Sequence, residues 1–409
     1  MTKRYDTYKD SGVQWLGEIP GHWKTMRSKF LLRLQTNSSK RPNKIGLENI
    51  EGFTGRYLST DSTFEGDGVD FDKGDIVYGK LRPYLCKVWL AEFDGNAVGD
   101  FYVYRTSEEY FNEYAKYFMM SNLFTDICNA STYGAKMPRV SSQFIQSLHI
   151  PLPPLSEQHS IVSYLDDKCA KIDKMLEGKQ KQIELLAEMK QRIIADAVTR
   201  GLNPDVKMKA TNIPWLPEIP EHWEMSKVSS HFKQRNEKVS DKDYPALSVS
   251  KQGVTPQLAN VALSNAEGSS RKLVKVGDYA VNSRSDRKGS CGVSKYEGSV
   301  SLITIVLEPF NIDGDYVHYL FRSNPWVEEF YRNGRGIVAD LWTTNYQMMK
   351  SMYMPVPPTE EQRAIVEYID KKISKIDTLA AKLQQEIESI KEYKQRLISD
   401  VVTGQIKVC

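Results

Sequence analysis

The stretch Ile150–Lys168, IPLPPLSEQHSIVSYLDDK, returns about two hundred residues later as Met354–Lys372, MPVPPTEEQRAIVEYIDKK. In both, prolines precede a hydroxyl residue and a Glu-Gln pair, and an apolar-periodic run follows. Proline disfavours helical backbone in the residue before it, so neither helix can begin earlier. Ser156 is the expected N-cap of the first copy, with Glu157 a first-turn acid suited to the helix dipole; in the second, Thr359 with Gln362 fits a capping box. A repeat of this period is far too long for a solenoid and indicates a duplicated half-chain.

Downstream of each motif the pattern is helical. Leu165, Cys169, Ile172, Leu176, Ile183, Leu186, Ile193 and Ala197 alternate steps of four and three, with Lys179 and Lys190 in the gaps. Ile369, Ile373, Ile376, Ala380, Leu383, Ile387, Ile390, Leu397 and Val401 hold the same register, interrupted at Lys394. Two such stripes can bury each other, and Gly201 and Gly404 suit the C-terminal stops. A helix of this length spans roughly 65 Å. Antiparallel pairing of the two is expected to place what precedes them at opposite ends of a rod.

Upstream, WLGEIPGHW (Trp15–Trp23) is echoed by WLPEIPEHW (Trp215–Trp223). The frames repeat, whereas the inserts between front and back motifs differ. Both inserts open a Gly-Asp turn, in KGDIVYGKLRPYLCKVWLAEF and VGDYAVNSRSDRKGSCGVSKY, and continue in short β-prone runs. Ser299–Phe310, SVSLITIVLEPF, reads as one buried strand, and Ser107–Phe124 and Asp313–Arg332 as helical pieces. The fold class expected is α+β: two globular domains separated by a pair of long antiparallel coiled-coil helices, with a pseudo-two-fold internal repeat. The boundaries read are 1–155, a helix 156–200, a linker 201–212, 213–358, and a helix with its tail 359–409.

Composition excludes several classes. With 40% hydrophobic and 26% charged residues the chain is an ordinary folded one, without an apolar run long enough for a membrane span. The N-terminus lacks the apolar core of a signal peptide, so a cytoplasmic location is expected. Five scattered cysteines (Cys86, Cys128, Cys169, Cys291, Cys409) form no zinc pattern and read as reduced thiols. No phosphate loop or HExxH occurs, DGVDFDKGD (Asp67–Asp75) lacks the ligand spacing of a calcium loop, and His22 and His222 read as scaffold. No catalytic, cofactor-binding or metal-binding residues are assigned.

The signal that remains is basic residues among glycines and aromatics. The first insert has Lys80, Arg82, Tyr84 and Lys87 in GKLRPYLCK, and Lys136 and Arg139 in YGAKMPRVSS. The second has Arg284, Arg287 and Lys288 in NSRSDRKGS, and Arg332, Arg335, Trp342 and Thr343 in YRNGRGIVADLWTTN. Arginine can pair with a guanine edge or a phosphate, and loop glycines allow close backbone approach to DNA. GLENIEGFTGRY (Gly46–Tyr57) and LSVSKQGVTPQ (Leu247–Gln257) are a weaker third pair, contributing Lys251 and Gln252. A net charge of only +3 requires any basic surface to be local or completed by a partner.

The duplicated PLPPLSEQ…IVSYLD and PVPPTEEQ…IVEYID, the WLGEIPGHW openings and GDIVYGKLRPYLCKV together resemble the specificity subunit of type I restriction-modification systems. The resemblance implies two target-recognition domains, each reading half of a bipartite asymmetric site in double-stranded DNA. It implies helices that set the spacing and dock two modification (methyltransferase) subunits, with restriction (translocase/nuclease) subunits in the full complex. This chain would then be non-catalytic and hold no cofactor, with S-adenosylmethionine, ATP and Mg used by partner subunits. Counting back from the proline motifs sets Arg139 opposite Thr343, and KLRPY has no literal counterpart. A structural coiled-coil adaptor joining two protein-binding domains is the alternative from another class, although it has little need for two unlike basic inserts.

Overall fold

The computed structural model describes residues 4–39, 41–134, 136–257, 271–336 and 342–408. Ile337–Leu341 of the second insert and Cys409 lie outside the described residues. The chain divides into two compact units: unit 1 is Met1–Gln180 with Gln384–Cys409, and unit 2 is Lys181–Leu383.

The repeated motifs start two long helices, Leu155–Arg200 and Thr359–Val402. Each unit takes part of both. In unit 1, Asp173 accepts from Lys394 Nζ at 2.6 Å and Lys179 pairs with Glu386, so the second helix descends in number as the first rises. The two run antiparallel. In unit 2, Lys190 Nζ lies 2.8 Å from Asp377, the same two repeat positions with the helices exchanged. The lysines that interrupt the apolar stripes therefore meet carboxylates of the facing helix, their methylene stems covering the seam. Leu165, Ile369, Leu397 and Val401 are fully buried, whereas Ile172, Leu176, Ile183 and Leu186 are half-buried, as two helices covering only one side of each other require.

Neither expected N-terminal cap forms. The first helix already includes Leu155, so Ser156 lies inside its first turn, and Pro154 O accepts from the backbone of Glu157 and Gln158. The glutamines do something else. Gln158 is fully buried; its amide oxygen accepts Phe111 N–H at 2.7 Å and its amide nitrogen donates to Glu109 O and Pro153 O, both at 2.9 Å. Gln362 likewise accepts Asp313 N–H at 2.9 Å and donates to Pro357 O at 2.8 Å. The repeated Gln fastens each insert to its helix start by satisfying backbone groups that burial would otherwise orphan. The C-terminal stops are as expected, with Gly201 and Gly404 at φ 76° and 77°.

Each unit is built on a four-stranded antiparallel sheet. Unit 1 orders Leu32–Gln35, Phe101–Thr106, Ile76–Gly79 and Val88–Leu90; unit 2 orders Phe232–Arg235, Thr304–Pro309, Tyr279–Asn282 and Cys291–Val293. The two inserts, unlike in sequence, share this topology. The Gly-Asp turns open the strands Ile76–Gly79 and Tyr279–Asn282, and each aspartate is gripped by arginine: Asp75 by Arg105 at 2.8 and 2.7 Å, Asp278 by Arg235 at 2.6 and 3.1 Å. The helical pieces each divide in two, Asn112–Met120 and Asn122–Ala130 in unit 1, Gly314–Arg322 and Asn324–Arg332 in unit 2. The breaks fall at buried Ser121 and Ser323, whose hydroxyls donate to Phe118 O at 2.6 Å and Leu320 O at 2.7 Å.

Two other expectations change. Ser299–Phe310 is not one strand: Gly298–Ser301 and Thr304–Pro309 belong to different sheets, and Leu302 and Ile303 between them are exposed. An unbroken apolar run conceals such a crossing because both flanking strands are buried. The segment 201–212 is only partly linker, since Met208–Ile213 pairs with Leu216–Pro220 in a hairpin matching Tyr8–Asp10 with Glu18–Pro20 in unit 1.

These hairpins bring Trp23 and Trp223, both fully buried, into the two main cores. Trp23 joins the cluster containing Leu397, Ile398, Val401 and Val402; Trp223 joins that of Ile194, Ala197 and Val198. Tyr114 OH donates to Val402 O at 2.8 Å, and Tyr316 OH donates to Val198 O at 3.2 Å. Each core is thus closed by the terminal turn of the long helix that follows the other insert.

Candidate nucleic-acid interface

The strand Ile76–Gly79 ends in the turn that carries KLRPY. There Arg82 N–H donates to Pro138 O at 2.8 Å and Val140 N–H donates to Lys80 O at 3.2 Å, making Leu81 and Arg139 a bridged antiparallel pair. Arg139 also exchanges both backbone hydrogen bonds with Tyr133, each 3.1 Å. Directly opposed residues of an antiparallel pair project to one face, so Leu81, Arg139 and Tyr133 form a row.

Unit 2 repeats this construction with other side chains. Ser285 N–H donates to Trp342 O at 2.8 Å and Thr344 N–H to Ser283 O at 3.0 Å, while Thr343 exchanges backbone bonds with Arg335. The row is Arg284, Thr343 and Arg335. The alignment of Arg139 with Thr343 by counting is matched by geometry, and KLRPY does have a structural counterpart: Arg284 stands where unit 1 has Leu81.

The sequence candidates separate by what they already touch. Arg82, Tyr84 and Lys136 are exposed, and no side-chain partner is found for Arg82 or Lys136 among the described residues. Arg82 has φ 51°, in the left-handed region, held there by its bonded turn. Tyr133 and Met137, not anticipated from sequence, are 61% and 46% exposed beside them and offer apolar surface for stacking. Lys80 is half-buried, with Nζ 3.9 Å from Asp100 and 5.2 Å from the Tyr102 ring centroid.

Lys87 has to be withdrawn as a DNA contact. Its ammonium donates to Leu47 O at 2.5 Å and Ile50 O at 2.9 Å, and burial pushes its pKa down. It holds the Leu47–Asn49 turn. In that turn Asn49 is buried, its side chain accepting Gly46 N–H and donating to Leu58 O, so the Gly46–Tyr57 stretch uses its Asn for a turn.

Carboxylates occupy several of the remaining cations. Arg139 donates from Nε and Nη2 to the two oxygens of Asp100, both at 2.9 Å; this pairing holds the Asp100 carboxyl below the usual carboxylate range. Arg284 grips Asp286 in the same way at 3.0 and 3.1 Å, with Arg287 Nε 3.7 Å from that carboxylate. Lys288 donates to Glu328 at 2.8 Å, and Arg332 pairs with Glu329. Trp342 is half-buried and lines a cleft of about 670 Å³ with Trp215, Tyr331 and Pro325. Lys251 and Gln252 are exposed at the turn joining Leu247–Ser250 to Gly253–Pro256, with Lys251 O accepting from Arg322. Arg335 is exposed.

Sequence reading missed these acids because a basic-cluster search ignores their partners. Asp286 was visible two residues after Arg284, whereas Asp100 reaches Arg139 only through folding. Among the described residues no group of three His, Cys, Asp or Glu could hold a metal, and no helix is long and apolar enough to cross a membrane. Cys86, Cys128, Cys169 and Cys291 are buried and free.

The family model "Type I restriction modification DNA specificity domain" matches residues 43–185. The specificity subunit of the type I restriction enzyme EcoDI from Escherichia coli is 29% identical over 208 residues, 47% of this chain and 46% of that protein. A putative type I restriction enzyme MjaX specificity subunit from Methanocaldococcus jannaschii is 23% identical over 434 positions, covering 96% of both chains. Among solved structures, a chain from a study of assembly and conformational transition of the type I R-M system covers 94% of this chain at TM-score 0.69 and 17% identity, with 98% of that chain covered. The HsdS subunit from Thermoanaerobacter tengcongensis covers 95% at TM-score 0.52 and 17% identity, again with 98% of that chain covered; at such identity these two bear on the fold. With two inserts of one topology on a duplicated frame, the chain carries a type I restriction modification DNA specificity domain over residues 43–185 and is similar along nearly its whole length to specificity subunits of type I restriction-modification systems.

Proposed function

We propose that this chain is the DNA sequence-specificity subunit of a type I restriction-modification complex. Each globular domain reads one half of a bipartite, asymmetric site, and the long helices set the interval and dock modification subunits. The observation that carries this reading is the pair of bridged rows, Leu81–Arg139–Tyr133 and Arg284–Thr343–Arg335: one backbone construction bearing two different sets of side chains. Two unlike half-sites demand that arrangement, whereas a single repeated partner would select like faces. Joining two readers also makes the second contact intramolecular, so modest affinity in each suffices.

Two modification subunits are supported by the exposed apolar residues of the long helices. Met175 and Tyr393 in unit 1 are 53% and 58% exposed, and Leu379 and Met189, at the same repeat positions in unit 2, are 48% and 50% exposed. Adenine methylation from S-adenosylmethionine and cleavage driven by ATP with Mg are assigned to partner subunits.

Methylome mapping of a strain with and without the gene tests the reading. The expected result is one bipartite motif, with an unspecified spacer, that disappears on deletion. An unchanged methylome in a strain whose modification subunit is intact overturns it. Replacing Arg284, Arg287 and Lys288 together by Ala is expected to degrade one half of the motif and spare the other.

A further inference from the structure

Arg139 and Arg284 share a geometry that goes beyond basic character. They occupy opposite members of the same bridged pair: Arg139 faces Leu81 in unit 1, and Arg284 faces Thr343 in unit 2. In both bridges the flanking hydrogen bonds come from neighbouring residues (Arg82 N to Pro138 O, Ser285 N to Trp342 O). Both are therefore close, non-hydrogen-bonded pairs, with the two side chains side by side on one face. Moving the arginine from one member to the other keeps the guanidinium on that face and shifts it by about 5 Å.

Each guanidinium is also held in one orientation. The carboxylates of Asp100 and Asp286 take Nε and one hydrogen of Nη2, the side-on mode. Of five guanidinium N–H donors, three remain, on Nη1 and the outer edge of Nη2. This is the end-on fork, and it is the geometry that pairs with the O6 and N7 acceptors of guanine in the major groove. The side chains of Arg139 and Arg284 are 33% and 42% exposed, so the fork is accessible while its base is anchored.

Two other arginines with side-on aspartates show what distinguishes this pair. Arg105 on Asp75 also meets Asp72, and Arg235 on Asp278 also meets Glu308 at 3.2 Å and is only 15% exposed. In both, a second carboxylate takes the outer edge of Nη2 and so occupies one arm of the fork. Neither Arg139 nor Arg284 has a second acidic residue on its free edge among the described residues.

We infer that Arg139 and Arg284 are the guanine-reading residues of the two domains, each buttressed by its aspartate, so that each half-site contains a guanine contacted by one of them. This rests on the two-reader function proposed above. A phosphate contact would use the same donors, but it does not need a planar fork fixed from behind, since a mobile lysine serves a backbone oxygen equally well.

The test uses the complex reconstituted with its modification subunits, on duplexes carrying the mapped site and each single-base variant of it. Arg139→Ala should reduce discrimination for guanine at one position of one half-site by roughly 5- to 150-fold. Arg284→Ala should do the same in the other half-site, and each should leave the opposite half unchanged. Replacing that guanine by 7-deazaguanine, which lacks the N7 acceptor, should penalise the wild type and have no added effect on the corresponding variant. Asp100→Asn and Asp286→Asn should weaken discrimination at the same positions, by less.

A bipartite motif whose guanines are all still discriminated in the variants, or variants that slow methylation equally on every sequence, overturn the inference and leave the two-reader function standing. Absence of any bipartite motif instead removes the function on which it rests. If an alanine variant fails to assemble, the 7-deazaguanine series on the wild type decides: insensitivity at every guanine of a half-site overturns the assignment there.

Discussion

In unit 1 the indole N–H of Trp23 donates to Glu157 at 2.9 Å, and that carboxylate also accepts from Tyr5 at 3.0 Å and meets His22 at 2.5 Å. In unit 2 the equally buried indole of Trp223 has no hydrogen-bond partner among the described residues, and Glu361 keeps the histidine contact, with His222 at 2.7 Å. The shared element is a histidine–carboxylate clasp between the front motif and the first turn of the long helix; the indole and phenol bonds are additions of one copy. The two motifs repeat because they touch each other. Glu157 and Glu361, together with Gln158 and Gln362, are occupied in holding the frame.

The sharpest way to break this comparison is to empty the buried indole site that both copies share. Trp23→Ala and Trp223→Ala each empty a fully buried site and should destabilise their own unit by about 3–5 kcal/mol. Hydrogen exchange resolved by peptide in the two units would read this, and loss confined to the loops would contradict the core assignment. Replacement by Phe then isolates the difference between the copies. Trp23→Phe leaves Glu157 short of one donor, whereas Trp223→Phe removes an N–H that already lacks an acceptor. The first should cost about 1.5–3 kcal/mol more than the second in denaturant unfolding. Equal costs would mean that the Trp23–Glu157 bond contributes nothing net.

A smaller contrast lies along the helices. Lys394 is buried against Asp173, which Arg56 also approaches at 3.1 Å, while Lys190 and its Asp377 are more exposed. Lys190→Met should change stability by no more than about 1 kcal/mol, because an exposed pair is screened and its entropy cost offsets much of the attraction. Lys394→Met should cost more, since it leaves a half-buried carboxylate with one partner in place of two. The reverse order in thermal unfolding would show that packing at the seam outweighs charge there.

How far the sequence could be read follows from the range of the interactions. The long helices, their stops at Gly201 and Gly404 and the stripe with its three lysines were legible, because caps and periodicity are local. So was the duplication, because the clasp residues are identical in kind. The capping roles of Ser156 and Gln362 were misread because the amides of Gln158 and Gln362 close contacts with Phe111 and Asp313, 47 and 49 residues away. Lys87 looked like its neighbour Arg82, and only the carbonyls of Leu47 and Ile50 distinguish an interior lysine from a surface arginine. In the second insert, Arg284 was legible as basic, but its place across from Thr343 depends on a bridge that no local pattern announces.

The smallest expected effect is on acid sensitivity, and it separates the two clasps again. Burial by itself would raise the Glu157 carboxyl, but hydrogen bonds from Trp23, His22 and Tyr5 bring it below the ordinary glutamate value. A carboxyl held low in the folded state stabilises that state above its unfolded value, and the contribution fades as pH falls through the folded value. Protection of the amides in the Tyr8–Asp10 and Glu18–Pro20 hairpin should therefore decline as the solution is taken from about pH 5 to about pH 3, reversibly. In Glu157→Gln the hairpin should be weaker at neutral pH and lose this part of its acid dependence, since the amide cannot titrate. If wild type and variant lost protection in parallel over that range, the acid response would arise elsewhere in unit 1, and the three donors around Glu157 would be fixing geometry without a net contribution from its charge.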